Sequence, residues 1–200
     1  MEVDAKWTQA HSVAGLIIAG GNGMRMGGVQ KGLLEWHSKP LLEHIIDRLG
    51  PQCDFLTLNV NQQLDRYNQF GLPIINDHEY PQSGPLAGLY AGLSQISSDY
   101  LAIVPCDAPL LPRNLVEKLY AAAISHHGLA VVRTEHRIQP TFAIVNKSYL
   151  NSLKEFLDRG QRKTQLWFKE NKTAIVEFPP ENFININTPE DLASIHSSKN

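Results

Sequence analysis

Cysteine is nearly absent from this sequence: Cys53 and Cys106 lie far apart, with no C-x-x-C spacing. That argues against a disulfide framework and fits a reducing compartment. Charge is scarce and balanced. Only 19% of residues are charged, the formal net charge is -2 and the pI is about 6.4, so no global basic field exists to attract nucleic acid. No apolar run approaches the roughly 20 residues of a membrane-spanning helix. Residues Met1 to Ser12 are polar and mixed in charge, without the apolar stretch of a signal peptide. The 8 histidines contain no H-x-x-x-H pair, and no G-x-S-x-G nucleophile motif occurs. Cys106 reads better as a small buried residue than as a nucleophile. The expectation is a soluble cytoplasmic protein with neither nucleic acid nor membrane as partner. With 42% hydrophobic residues in a chain of 200, it has enough apolar material for one sizeable core. We expect a flexible tail over 1–12, a single domain over 13–196 and a flexible tail over 197–200.

Glycine and cations are concentrated where the first apolar run ends. Leu16 to Leu34 reads LIIAGGNGMRMGGVQKGLL. Small residues let backbone N–H groups approach an anion, and Arg25 and Lys31 bracket the loop, which is the layout of a phosphate cradle. A Walker A loop would need Ser or Thr after the lysine to reach a metal, and Gly32 stands there. A dinucleotide fingerprint would need a third glycine where Met26 stands, and an acid where Asn59 ends the second strand. A longer loop fits better, with the nucleotide across it and Lys31 reaching back to the phosphates.

Apolar runs alternate with helical patterns. Strands are expected at Val13–Ile18, Phe55–Asn59, Pro73–Ile75, Tyr100–Val104, Ala130–Arg133, Thr141–Val145 and Ala174–Glu177. Helices are expected at Pro40–Leu49, Gln62–Phe70, Pro85–Ile96, Pro112–His126, Lys147–Leu157, Thr164–Lys169 and Pro189–His196. This rhythm predicts an α/β fold: a three-layer α/β/α domain on a mostly parallel, Rossmann-like sheet. Such sheets bind ligands beyond the carboxyl ends of their strands. The glycine loop follows the first strand, Asn59 ends the second, and Asp77 and Asp107 lie just past the third and fourth, so all four are expected along one rim.

The residue types on that rim suggest their chemistry. Asp107, between Pro105 and Pro109, is a candidate Mg²⁺ ligand, since Mg²⁺ takes one or two carboxylates plus phosphate oxygens and water. A cap for the following turn is the alternative. Asn187 is a candidate second ligand or, equally, a helix N-cap before Pro189. Asp77 could accept two N–H bonds from a guanine edge, bond a ribose hydroxyl, or serve an Asx-turn. Arg25 and Lys31 would neutralise a triphosphate and its departing pyrophosphate. Gly88 and Gly92 allow either close approach to a ligand or close helix–sheet packing. His136, Arg137 and the segment Arg159 to Lys163 form a modest basic set, either a dock for an acidic second substrate or a charged surface turn.

Taken together, the motifs Ala19-Gly20-Gly21, Arg25-Met26-Gly27-Gly28, Lys31-Gly32-Leu33, Gly84-Pro85-Leu86-Ala87-Gly88, Pro105-Cys106-Asp107, Gln139-Pro140-Thr141 and Asn185-Ile186-Asn187-Thr188-Pro189-Glu190 resemble the molybdenum cofactor guanylyltransferases, the MobA family. The resemblance runs in order through nearly the whole chain. It implies the nucleotidyltransferase type of fold and a Mg²⁺-dependent transfer of GMP from GTP to the terminal phosphate of molybdopterin, releasing pyrophosphate. By position it implies that Ile18, Ala19, Gly20, Gly21, Lys31, Asn59, Asp77 and Asp107 hold GTP, that Asp107 holds the metal, and that Arg25, Lys31 and Asp107 carry catalysis. Transient contacts with cofactor-biosynthesis proteins and acceptor molybdoenzymes are implied as well. One position departs from the family pattern: Gln30 stands where an aspartate usually precedes the lysine. Alternatives are a cytidylyltransferase for molybdopterin, a sugar-phosphate nucleotidyltransferase, or a non-catalytic carrier of nucleotide or cofactor.

Overall fold

The computed structural model describes residues 12–19, 30–81, 83–186 and 191. Its strands are built from short apolar runs whose alternate side chains face opposite ways. In β1 (Val13–Ile18), Val13 and Ile17 enter one apolar cluster while Ala14 and Leu16 enter another. In β6 (Tyr100–Pro105), Ala102 and Val104 face the first side and Leu101 and Ile103 the second. Strands buried on both faces need helices on both faces, and the chain supplies them.

The remaining strands are β2 (Glu35–Trp36), β3 (Lys39–Pro40), β4 (Phe55–Asn59), β5 (Ile74–Ile75), β7 (Leu129–Thr134), β8 (Arg137–Asn146) and β9 (Ala174–Glu177). The helices are α1 (Leu41–Leu49), α2 (Leu64–Asn68), α3 (Pro85–Gln95), α4 (Leu115–Ser125), α5 (Leu150–Asp158) and α6 (Thr164–Glu170). A 7-stranded sheet has the order β5-β4-β1-β6-β8-β7-β9. Leu42, Ile45 and Leu49 of α1, Tyr67 of α2 and Leu115, Val116 and Leu119 of α4 cover one face. Leu86, Leu89 and Leu93 of α3, Leu153 and Phe156 of α5 and Trp167 of α6 cover the other. This is the expected three-layer arrangement.

Strands β5, β4, β1 and β6 run parallel, whereas β8 is antiparallel to both β6 and β7. Strand β8 is twice the length read from the sequence. Its register against β7 jumps from Val131↔Ala143 to Val132↔Gln139, and Pro140, which has no N–H to give a ladder, sits inside that irregularity. Helix α2 starts later than its apolar pattern suggests, because Gln63 adopts a left-handed conformation at φ 53°. Helix α1 begins at Leu41 because Pro40 pairs with Glu35 in a small β2–β3 hairpin that the periodicity did not reveal. The helix expected at Pro189–His196 and both tails lie outside the described residues, apart from Ser12 and Asp191.

Candidate active site

The parallel register aligns the strand ends. Ile18 at the end of β1 lies level with Asn59 at the end of β4 and with Pro105 at the end of β6, and Asn59 is level with Ile75. Backbone bonds continue the pairing one step beyond the strands: Ala19 N–H donates to Asn59 C=O at 2.9 Å and Cys106 N–H to Ile18 C=O at 3.1 Å. Ile18, Ala19, Asn59, Asp77 and Asp107 therefore follow one rim. Both described ends of the glycine loop, Ala19 and Gln30-Lys31, are there too. Gly20, Gly21 and Arg25 lie outside the described residues, as does Asn187.

At the β6 end of the rim, Lys31 Nζ donates to Asp107 Oδ2 at 3.1 Å across 76 positions of sequence. Lys31 opens a single 3₁₀ turn, Lys31–Leu33, whose Gly32 packs so closely that a Cβ there would lie 3.3 Å from Cys106 Cβ. A side chain at 32 would fit only if the Cys106 contact gave way. Asp107 is buried, and its Oδ1 accepts no hydrogen bond among the described residues. A buried carboxylate oxygen left open is costly unless a partner arrives. Ile186 N–H donates to Asp107 C=O at 2.7 Å, so the chain entering the Asn187 motif runs directly past this acid. Burial, reinforced by the neighbouring Asp107 charge, pushes the Cys106 thiol up to about 12, which suits an inert filler and not a nucleophile.

The other end is built from amides and backbone. Asn59 is buried, and its carboxamide lies against α3: a Cβ on Gly88 would sit 2.5 Å from Asn59 Oδ1. Gly92 meets Leu101 and Leu16 in the same way. Close packing therefore explains both glycines, and at Gly88 the packed neighbour is itself a rim residue. Gly84, just before α3, has φ 65° and ψ -153°, a region essentially restricted to glycine, although no atom crowds it. Asp77 has its backbone N–H held by Asn61 Oδ1 at 3.1 Å. Partial burial raises the Asp77 carboxyl above the usual carboxylate range, and the Asn61 contact acts against that shift. Asn61 escaped the sequence reading. Its one signal was a second asparagine two residues beyond Asn59.

Among the described residues no three His, Cys, Asp or Glu side chains gather into a metal cage. The donor set is one buried acid with an open oxygen beside a lysine, which fits Mg²⁺ shared with substrate phosphates better than a site made by protein alone. Past its pairing with β6, which ends at Ala143, the Arg137–Gln139 part of β8 stays paired with β7 alone. Next to it, Pro140, Lys163, Thr164, Gln165, Leu166 and Lys169 line an open cavity of about 490 Å³. Part of the basic set noted in the sequence thus flanks a depression. Among the described residues no helix is long and apolar enough to cross a membrane.

Known proteins share this architecture. A family model described as the MobA-like NTP transferase domain matches residues 15–174. A Shewanella woodyi protein named molybdenum cofactor guanylyltransferase is 42% identical over 178 residues, which are 88% of this chain and 91% of that protein. Among solved structures, molybdopterin-guanine dinucleotide biosynthesis protein A of Archaeoglobus fulgidus superposes with a TM-score of 0.72 at 21% identity, over 92% of this chain and 99% of its own. A 4-diphosphocytidyl-2C-methyl-D-erythritol synthase from Anaerococcus prevotii reaches 0.76 at 14% identity, over 94% and 95%. At such identities the solved structures speak for the fold alone, and that fold is the nucleotidyltransferase type.

Proposed function

This chain belongs to the MobA-like NTP transferase family, and on that premise we propose that it transfers GMP from GTP to the terminal phosphate of molybdopterin, forming the guanine dinucleotide and pyrophosphate. The observation that carries this reading is the pairing of Lys31 with Asp107, whose buried Oδ1 stays open, on the rim that also bears Asn59 and Asp77. One end suits phosphates and a cation, and the other suits a base and ribose.

In the reaction an ionised phosphate oxygen of molybdopterin attacks the α-phosphorus of GTP in line. A new P–O bond forms, the bond from the α-phosphorus to the bridging oxygen breaks, and its electron pair leaves with pyrophosphate. The nucleophile is already an anion, so no base or covalent intermediate is required; the protein contributes positioning and charge. The amides around Ala19, Gly20 and Gly21 hold the triphosphate, and Lys31 with Arg25 stabilises the charge that develops on pyrophosphate. Asn59 and Asp77 orient the nucleoside. Asp107 would hold Mg²⁺ through Oδ1, and that ion, when bound, supplies charge neutralisation between donor and acceptor phosphates. The acceptor approaches from the β8 side, where Lys163 and Lys169 favour an anionic molecule. We place the reaction in the cytoplasm, with transient hand-over from biosynthesis proteins and to acceptor molybdoenzymes.

A pyrophosphate-release assay with GTP, Mg²⁺ and molybdopterin tests this. One pyrophosphate per molybdopterin consumed is expected. Binding without release would identify a carrier, and release with CTP but not GTP would identify a cytidylyltransferase.

A further inference from the structure

The buried hydroxyl of Tyr67 serves no purpose in packing. Tyr67 is fully buried in the main apolar cluster, against Phe70 at a ring separation of 6.2 Å. Phenylalanine would fill that space equally well, and a hydroxyl there is unfavourable unless bonded. Its partner is Gln30, whose Oε1 accepts the Tyr67 hydroxyl at 3.1 Å across 37 positions. Gln30 is itself buried and precedes Lys31 directly. Its own C=O accepts the Leu33 N–H at 3.0 Å and so closes the turn that presents Lys31.

We propose that Tyr67, acting through Gln30, is a positioning residue that holds the Lys31 turn in place so that the Lys31 ammonium meets both Asp107 and the nucleotide phosphates. This rests on the phosphate-binding role proposed above for Lys31. Two contacts then locate the turn. Gly32 rests on Cys106 on one side, and the Gln30 side chain is clasped by α2 on the other. A neutral amide oxygen accepts the buried hydroxyl without the desolvation penalty of a carboxylate, and it adds no second acid beside Lys31 to compete with Asp107. Burial, with Cys106 adding to it, keeps the Tyr67 phenol protonated and therefore a donor. The segment between β4 and β5 thus carries both α2, which clasps the turn, and Asn61, which holds the Asp77 N–H.

A double-mutant cycle on the full chain tests the proposal: wild type, Tyr67→Phe, Lys31→Ala and the double variant. Affinity for GTP and for CTP is titrated by calorimetry without molybdopterin, and melting temperatures are recorded for every variant. With Lys31 present, Tyr67→Phe should weaken binding about 5- to 10-fold. With Lys31→Ala it should change binding less than about twofold, because the group it positions is gone. Gln30→Leu should reproduce the loss, and combining it with Tyr67→Phe should add little; this variant decides the matter if Tyr67→Phe melts too low for titration. Equal proportional losses in both Lys31 backgrounds would reduce Tyr67 to a purely structural role and overturn the proposal, as would an unchanged affinity in folded Tyr67→Phe. The cycle is evaluated with whichever nucleotide the wild type binds more tightly. A preference for CTP would then sink the guanine assignment while Tyr67 is still decided.

Discussion

The two ends of the rim are built on different physical principles. Around Asp107 the site is made of charge: a buried carboxylate, a lysine drawn from 76 positions away, and an acid oxygen without a hydrogen bond among the described residues. Around Asp77 it is made of shape and backbone: an amide buried against a glycine, a turn fastened by Asn61, and a carboxylate with no cation bonded to it among the described residues. An end meant to act on a changing charge distribution needs preorganised charges. An end meant to recognise a neutral base needs directional donors and acceptors in a fixed frame. The contrast leads us to assign turnover to the first end and selectivity to the second.

The sharpest way to break this division is Asp107→Ala. Loss of the acid proposed to hold the metal should cost several kcal/mol of barrier, about 10³-fold or more in turnover, with the fold retained by circular dichroism. Near-normal pyrophosphate release with the Mg²⁺ requirement intact would remove Asp107 from the mechanism. Lys31→Ala should follow with a decrease of about 10²- to 10³-fold in kcat/KM, read in the same assay; a change confined to melting temperature would make it a structural ion pair.

At the other end, Asp77→Asn should weaken GTP binding about tenfold or more and narrow the preference over CTP, with little effect on turnover at saturating GTP. The same variant should be more stable than wild type at neutral pH. Burial raises the folded Asp77 pKa above its ordinary value of 3.8, so between the unfolded and folded values the native state binds more protons and stability falls as pH rises. Asparagine removes that cost, and the advantage should vanish below the unfolded value. Melting curves across acidic and neutral pH check it, and a destabilised variant at pH 7 would contradict the sign. The smallest effect is expected from Gly88→Ala. Its Cβ would overlap Asn59 Oδ1, costing about 1–3 kcal/mol of stability, or about 2–4 °C in melting temperature per kcal/mol, with a few-fold loss in GTP affinity. Unchanged values would show that Asn59 can move freely.

How much of this was legible beforehand depended on distance along the chain. The alternating strands and helices, and the placement of Asn59, Asp77 and Asp107 at or just past strand ends, followed from local periodicity. The β2–β3 hairpin and the full length of β8 did not, since two-residue strands carry no period and a proline inside a strand reads as its end. Gly88 and Gly92 could be read two ways because spacing alone does not say what faces a missing side chain. The Tyr67–Gln30 and Asp77–Asn61 contacts join groups that no motif links.

By itself, then, the order of residues determined the main strands and helices, the layers and the type of chemistry, because side-chain period and residue chemistry are local properties of a chain. Which carboxylate oxygen stays open, which amide Gly88 presses on, and which hydroxyl steadies the lysine's turn were decided only when parallel strands brought remote segments level and excluded water from between them. A hydrogen bond or an ion pair depends on ångström-scale distance and on burial, and both come into being only in the assembled fold.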